Sequence, residues 1–166
     1  LTCGRQEVKE ADGSVRFGGD SRGPKCLLRS MMTKVLLIED EPLLALAVSD
    51  ALVEAGYEVC GVAESATAAL ALAAQHKPEL AMVDVRLVGD RDGIDLAEEL
   101  VMRHHIAILY ATANSSEVKR RAKVGDWCLA KPYRAEWVIA ALRIVERGRD
   151  DGAMPIPTGL SRIDRR

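Results

Sequence analysis

Between residues 34 and 147 the chain alternates short apolar runs with segments of helical period, and no other pattern in it restricts the fold as tightly. The apolar runs are Lys34 to Glu39, Val59 to Ala63, Leu80 to Asp84, Ile106 to Ala111 and Trp127 to Ala130. Each is followed by a helical segment. Pro42 to Ala55 has Pro42 in its first turn and Gly56 just past its end. Ser65 caps a stretch of Ala and Leu reaching about Gln75, and Pro78 blocks its continuation. Gly93 to Arg103 is the third helix, a short basic helix capped by Ser115 or Ser116 is the fourth, and Arg134 to Arg147 is the fifth.

A strand followed by a helix pairs in parallel with the next strand, through a right-handed crossover. Five such units predict an α/β protein with a doubly wound parallel sheet, the flavodoxin-like (βα)5 arrangement in strand order 2-1-3-4-5, as a single domain over residues 34–147. Residues 1–33 are rich in Gly, Ser, Arg and Lys with no sustained apolar period, so they are expected to be a disordered leader. The chain opens with Leu1 while Met31-Met32 stands just before the first strand, so residues 1–31 need not belong to the native protein. Residues 148–166, with Gly148, Gly152, Gly159, Pro155 and Pro157, are expected to form a second flexible tail.

Residues 34–147 hold 13 Lys and Arg against 18 Asp and Glu, a balance that speaks against nucleic acid as a direct partner. No apolar run approaches the length of a membrane span, and the N-terminus lacks the apolar middle of a signal peptide. Cys3, Cys26, Cys60 and Cys128 are scattered without a Cys-x-x-Cys pair, which points away from a disulfide framework or a zinc site and toward a reducing, cytoplasmic setting.

The chemistry concentrates where the strands end. The third run is apolar except for Asp84 at its end, and in open α/β sheets functional groups gather outside the carboxyl ends of the strands. The predicted order sets the first strand beside the third, so Glu39-Asp40-Glu41 falls beside Asp84. Clustered carboxylates repel one another unless a cation sits among them, and a hard divalent ion such as Mg2+ takes one or two carboxylates plus phosphate oxygen. The fourth strand ends in Tyr110-Ala111-Thr112-Ala113 and the fifth in Ala130-Lys131-Pro132-Tyr133. A hydroxyl and an ammonium at one rim together suit an oxyanion, with Ala113 leaving room for it.

With these motifs in place, residues 34–147 resemble the receiver domains of two-component response regulators, and more narrowly a subset carrying aromatic-Ala-Thr and Lys-Pro-Tyr. The resemblance implies that Asp84 is a phosphoacceptor served by a sensor histidine kinase or histidine phosphotransfer protein. It implies that Mg2+ is held by Asp40, Asp84, Glu39 through water and the backbone carbonyl of Arg86. Thr112 and Lys131 would bind the phosphoryl oxygens, and the chain would signal rather than act as an enzyme. Such a site agrees with the needs of phosphoryl transfer, which are a placed nucleophile, a metal and fixed positive charge.

Two positions depart from the family pattern. The residue three before Lys131 is Cys128, where receivers usually carry an aromatic that swings inward; the loop after Asp84 carries Asp90 and Asp92 and lacks the usual Pro. Coupling is therefore expected through Thr112 and Lys131 to the loops after strands four and five, ordering a helix four that has only Val118, Ala122 and Val124 to pin it. With no output domain expected in the 148–166 tail, the surface around helix four, strand five and helix five is expected to control a downstream protein partner, with the run Lys119, Arg120, Arg121 and Lys123 as its exposed feature. Two alternatives are an unphosphorylated pseudo-receiver adaptor and a phosphatase of the haloacid dehalogenase kind. The latter needs a second Asp two residues after the first, where this chain has Arg86.

Overall fold

A computed structural model of the chain describes residues 32–87, 89, 91–147 and 156–163. Its elements run β1 (Lys34–Ile38), α1 (Pro42–Glu54), β2 (Glu58–Ala63), α2 (Ala66–His76), β3 (Leu80–Asp84), α3 (Gly93–His104), β4 (Ala107–Thr112), α4 (Ser115–Arg121), β5 (Trp127–Ala130), α5 (Ala135–Glu146) and β6 (Leu160–Arg162). The sheet has the order β2-β1-β3-β4-β5-β6. The first five strands are parallel and in the predicted order, so the doubly wound architecture stands.

The central strands are continuous apolar runs because helices cover both faces of the sheet. Alternate residues sort into two layers. Leu36, Ile38, Ala81, Val83, Ile108 and Tyr110 pack with residues of α2, α3 and α4, while Val35, Leu37, Leu80, Met82, Leu109 and Ala111 pack with α1 and α5. Each fully buried Leu, Ile, Val or Met contributes about 1.5–3 kcal/mol by leaving water, so the middle of the sheet is the rigid base on which the strand ends are mounted.

Two expectations need correction, and one loop residue gains a role. The tail is not loose throughout, because β6 lies antiparallel on β5 with Trp127 opposite Arg162, Cys128 opposite Ser161 and Leu129 opposite Leu160. The physical reason is that β5 ends the parallel series and would otherwise present an open edge of unpaired backbone groups. Neither Ser115 nor Ser116 caps α4; Asn114 does, its side-chain oxygen accepting from the Glu117 N–H at 3.3 Å. Asp92, placed above only in the loop after Asp84, caps α3 by accepting from the N–H groups of Ile94 and Asp95 at 3.0 and 3.1 Å. The leader over residues 1–31, the segment 148–155 and Asp90 lie outside the described residues.

Gly93 fixes how closely α3 approaches the end of β3. Its N–H donates to the Val85 carbonyl at 2.9 Å, and a Cβ on it would lie 2.0 Å from the Asp84 carbonyl oxygen and 2.9 Å from the Val85 Cα. Only glycine fits there without moving the backbone that carries Asp84. Gly93→Ala should therefore lower the unfolding free energy in urea by about 1–3 kcal/mol, the usual cost of overpacking; wild-type stability would show that the α3 start gives way freely.

Candidate functional site

The adjacency of β1 and β3, in register at Ile38 and Val83, sets the residues that follow level with each other. Glu39 is held by its N–H donating to the Ala63 carbonyl at 3.0 Å, and Asp84 closes β3. Both are buried, at 1% and 5% exposure, while Asp40 is half-buried. Carboxylate oxygens of Glu39, Asp40 and Asp84 lie within 4.8 Å of one another, which makes these three the residues that could hold a divalent cation. The Arg86 N–H donates to Asp84 Oδ1 at 3.0 Å and so fixes the rotamer of that carboxylate.

Lys131 is the centre of the arrangement. Its backbone N–H donates to the Thr112 carbonyl at 2.8 Å, tying the ends of β4 and β5 together, and the following Lys131–Pro132 peptide is cis. Its Nζ donates to Asp84 Oδ2 at 2.6 Å and to Glu39 Oε2 and Oε1 at 2.8 and 3.0 Å. Glu39 also accepts from the Tyr133 hydroxyl at 3.3 Å and from the Glu41 N–H at 3.4 Å. Burial drives the Glu39 carboxyl above its ordinary pKa; the Lys131 hydrogen bonds oppose that and the Asp84 charge adds to it. Burial depresses the Lys131 ammonium, yet its contacts with Asp84 and Glu39 outweigh that and leave it raised. Glu39 thus favours the folded state while protonated and loses that contribution as pH rises through its raised pKa, unless a cation compensates.

Thr112, at 2% exposure, sits on the neighbouring strand one residue past the Asp84–Ala111 pair. Its Oγ1 accepts from the Asn114 N–H at 3.1 Å, so the predicted oxyanion hydroxyl here secures the residue that caps α4. Cys128 is fully buried opposite Tyr110, and burial pushes its thiol up to about 11, which leaves it an inert packing group. The Tyr110 ring is also fully buried and lies against Gly125, where a Cβ would come 2.8 Å from Cε2.

The basic run of α4 is not a uniform exposed face. Arg121 donates to Asp92 Oδ2 at 2.5 Å and to Glu117 Oε1 at 2.9 Å, while Lys119, Arg120 and, past the helix end, Lys123 are exposed, the last reaching Glu98 at 3.3 Å. Burial pulls Asp92 upward, but the Asp95 N–H and the Arg121 guanidinium together hold it below its ordinary value. Sequence reasoning found the cluster of Glu39, Asp40, Asp84 and Lys131, and placed Thr112 and Arg86 beside it. It missed Tyr133 as a donor to Glu39, for which the only signal was a tyrosine two residues after Lys131, and it missed the link from Asp92 to Arg121.

The response regulator receiver domain family model matches residues 35–143. The chain is 36% identical over 125 residues to the transcriptional regulatory protein PdtaR of Mycobacterium tuberculosis, covering 73% of this chain and 60% of that one. It is 37% identical over 123 residues to the phyllosphere-induced regulator PhyR of Methylorubrum extorquens, covering 70% and 44%. It thus spans less than two thirds of the length of each of these relatives. Among solved structures, the PhyR response regulator REC domain of Erythrobacter litoralis superposes with a TM-score of 0.64 at 25% identity, over 76% of this chain and 99% of that one.

One ammonium shared by buried carboxylates gives a sharp expectation. Lys131→Met leaves Glu39 and Asp84 without a counter-ion, which for a buried pair costs about 3–5 kcal/mol. In thermal unfolding the variant should melt well below wild type in the absence of divalent cations, and millimolar Mg2+ should recover more stability in the variant than in wild type. Equal recovery in the two proteins would mean that Lys131 and a cation do not act on the same carboxylates.

Proposed function

The chain belongs to the response regulator receiver family, and from that premise we propose that Asp84 accepts a phosphoryl group in a two-component phosphorelay. The observation that carries the proposal is that Asp84 ends β3 with its carboxylate 2.6 Å from Lys131 and within 4.8 Å of the carboxylates of Glu39 and Asp40. An Asp84 carboxylate oxygen forms the new O–P bond as the bond from phosphorus to the donor breaks, in line behind it. Lys131 leaves the carboxylates for the equatorial phosphoryl oxygens, and the Thr112 hydroxyl turns from Asn114 to the same group.

Asp40, Asp84, the Arg86 carbonyl and, through water, Glu39 are the residues that would hold Mg2+. When bound, the ion supplies charge neutralisation between nucleophile and phosphoryl oxygens. As Lys131 turns away, Tyr133 continues to donate to Glu39 and keeps that carboxylate placed. The donor is a histidine kinase or histidine phosphotransfer protein. A face for it adjoins the pocket, where α1 carries Leu43 and Leu46 at 83% and 59% exposure one turn apart, an apolar strip suited to a partner helix. No helix among the described residues is long and apolar enough to cross a membrane.

Output runs through α4, because Thr112 Oγ1 now holds the N–H of Asn114, the cap of α4. Drawing that hydroxyl to a phosphoryl group repositions the cap and shifts the population of α4 conformations that a downstream protein reads. Intact-mass measurement after incubation with Mg2+ and acetyl phosphate tests the assignment. The wild-type chain should gain the mass of one phosphoryl group, and Asp84→Asn should gain none. Undiminished gain in that variant would move the phosphoacceptor elsewhere.

A further inference from the structure

The strand β6 lies beyond residues 35–143, the part of the chain that the family model covers, and it sits on the edge of the strand that leads into Lys131. Its two ends are fastened by backbone hydrogen bonds: the Ala130 N–H donates to the Gly159 carbonyl at 3.0 Å, and the Ile163 N–H donates to the Asp126 carbonyl at 2.8 Å. Side chains alternate across the sheet, so Leu160 enters the layer under α5 while Ile163 enters the layer that holds Tyr110, Val118 and Cys128. Both are buried, at 8% and 3% exposure.

The attachment is nevertheless weak by construction. β6 has three residues, and Ser161 faces Cys128 with its hydroxyl buried and without a hydrogen-bond partner among the described residues. An unsatisfied buried hydroxyl favours any state in which it reaches water. A strand that seals an edge but carries its own destabilising group is suited to leave.

We propose that the β5 edge is a strand-addition site which this chain's own segment Gly159 to Ile163 fills in cis, and that phosphorylation at Asp84 opens it by displacing β6. The inference rests on the phosphoacceptor reading of Asp84. The mechanical path is short. Ala130, which binds Gly159, is bonded directly to Lys131, whose N–H holds the Thr112 carbonyl, and these are the two residues that turn toward a phosphoryl group. At the other face, Ile163 shares its core layer with Val118, the buried residue of α4. Movement at the pocket therefore pulls on the Ala130 end of β6 while movement of α4 loosens the seat of Ile163. What the open edge fits is an extended partner segment in antiparallel register, apolar on both faces as Leu160 and Ile163 are.

Hydrogen exchange on the full chain, with and without Mg2+ and acetyl phosphate, tests this when intact mass is recorded on the same samples. The amides of Ala130 and Ile163, whose bonds join β5 to the β6 segment, should exchange at least about tenfold faster in the phosphorylated protein. Ser161→Ala, which removes the unpaired hydroxyl, should slow that exchange and, because coupling is reciprocal, lower the phosphorylated fraction at a given donor concentration. Phosphoryl mass gained with unchanged or slower exchange at these amides overturns the displacement. No gain of mass at all overturns the phosphoacceptor reading, and the displacement with it.

Discussion

Two buried carboxylates share one ammonium at the carboxyl edge of the sheet, and the behaviour of the site depends on that imbalance. Glu39 and Asp84 together with the half-buried Asp40 bring three formal negative charges against the single charge of Lys131. At an effective dielectric constant of about 20, two unit charges about 4 Å apart interact by about 4 kcal/mol, so the surplus repulsion is comparable with a large part of a domain's stability. The apolar strands beneath offset it. A pocket built this way stores a demand for positive charge, which a divalent ion and a turned Lys131 can meet in different states.

The fold makes that imbalance possible by geometry alone. Order reversal between β1 and β3 places two strand ends side by side with no helix between them, and the absent Cβ of Gly93 lets α3 begin directly on the backbone of Asp84. On the other side, the hydrogen bond from Lys131 to the Thr112 carbonyl makes the ends of β4 and β5 one mechanical unit. The charged groups lie at the ends of β1 and β3, and the Lys131 ammonium connects them to the paired ends of β4 and β5, which lead into α4 and carry β6 at their edge.

The elements that carry the site were legible because strand ends are written locally. Glu39 and Asp84 each terminate an apolar run, and Lys131-Pro132 interrupts the last of the parallel series. Strand order followed from the handedness of crossovers, which needs no residue detail. What escaped was everything set by long-range pairing. Leu160-Ser161-Arg162 is too short to show a period, and only the edge of β5, some thirty residues earlier in sequence, makes it a strand. Three capping residue types, Asn114, Ser115 and Ser116, follow one another, and only the folded backbone shows that Asn114 is the one whose side chain accepts from the Glu117 N–H. In the sequence Arg121 is one of a run of like charges, and only the fold brings it to Asp92, the cap of α3.

The central claim is that Lys131 is held on the carboxylates and leaves them when other positive charge and a phosphoryl group arrive. The side-chain ammonium of Lys131, followed by 15N NMR, reports on this directly. The cation-free protein should show a slowly exchanging Nζ signal protected by Asp84 and Glu39. Mg2+ should weaken that protection, and Mg2+ with beryllofluoride should restore it at a new chemical shift. One unchanged Lys131 signal across all three conditions would contradict the account.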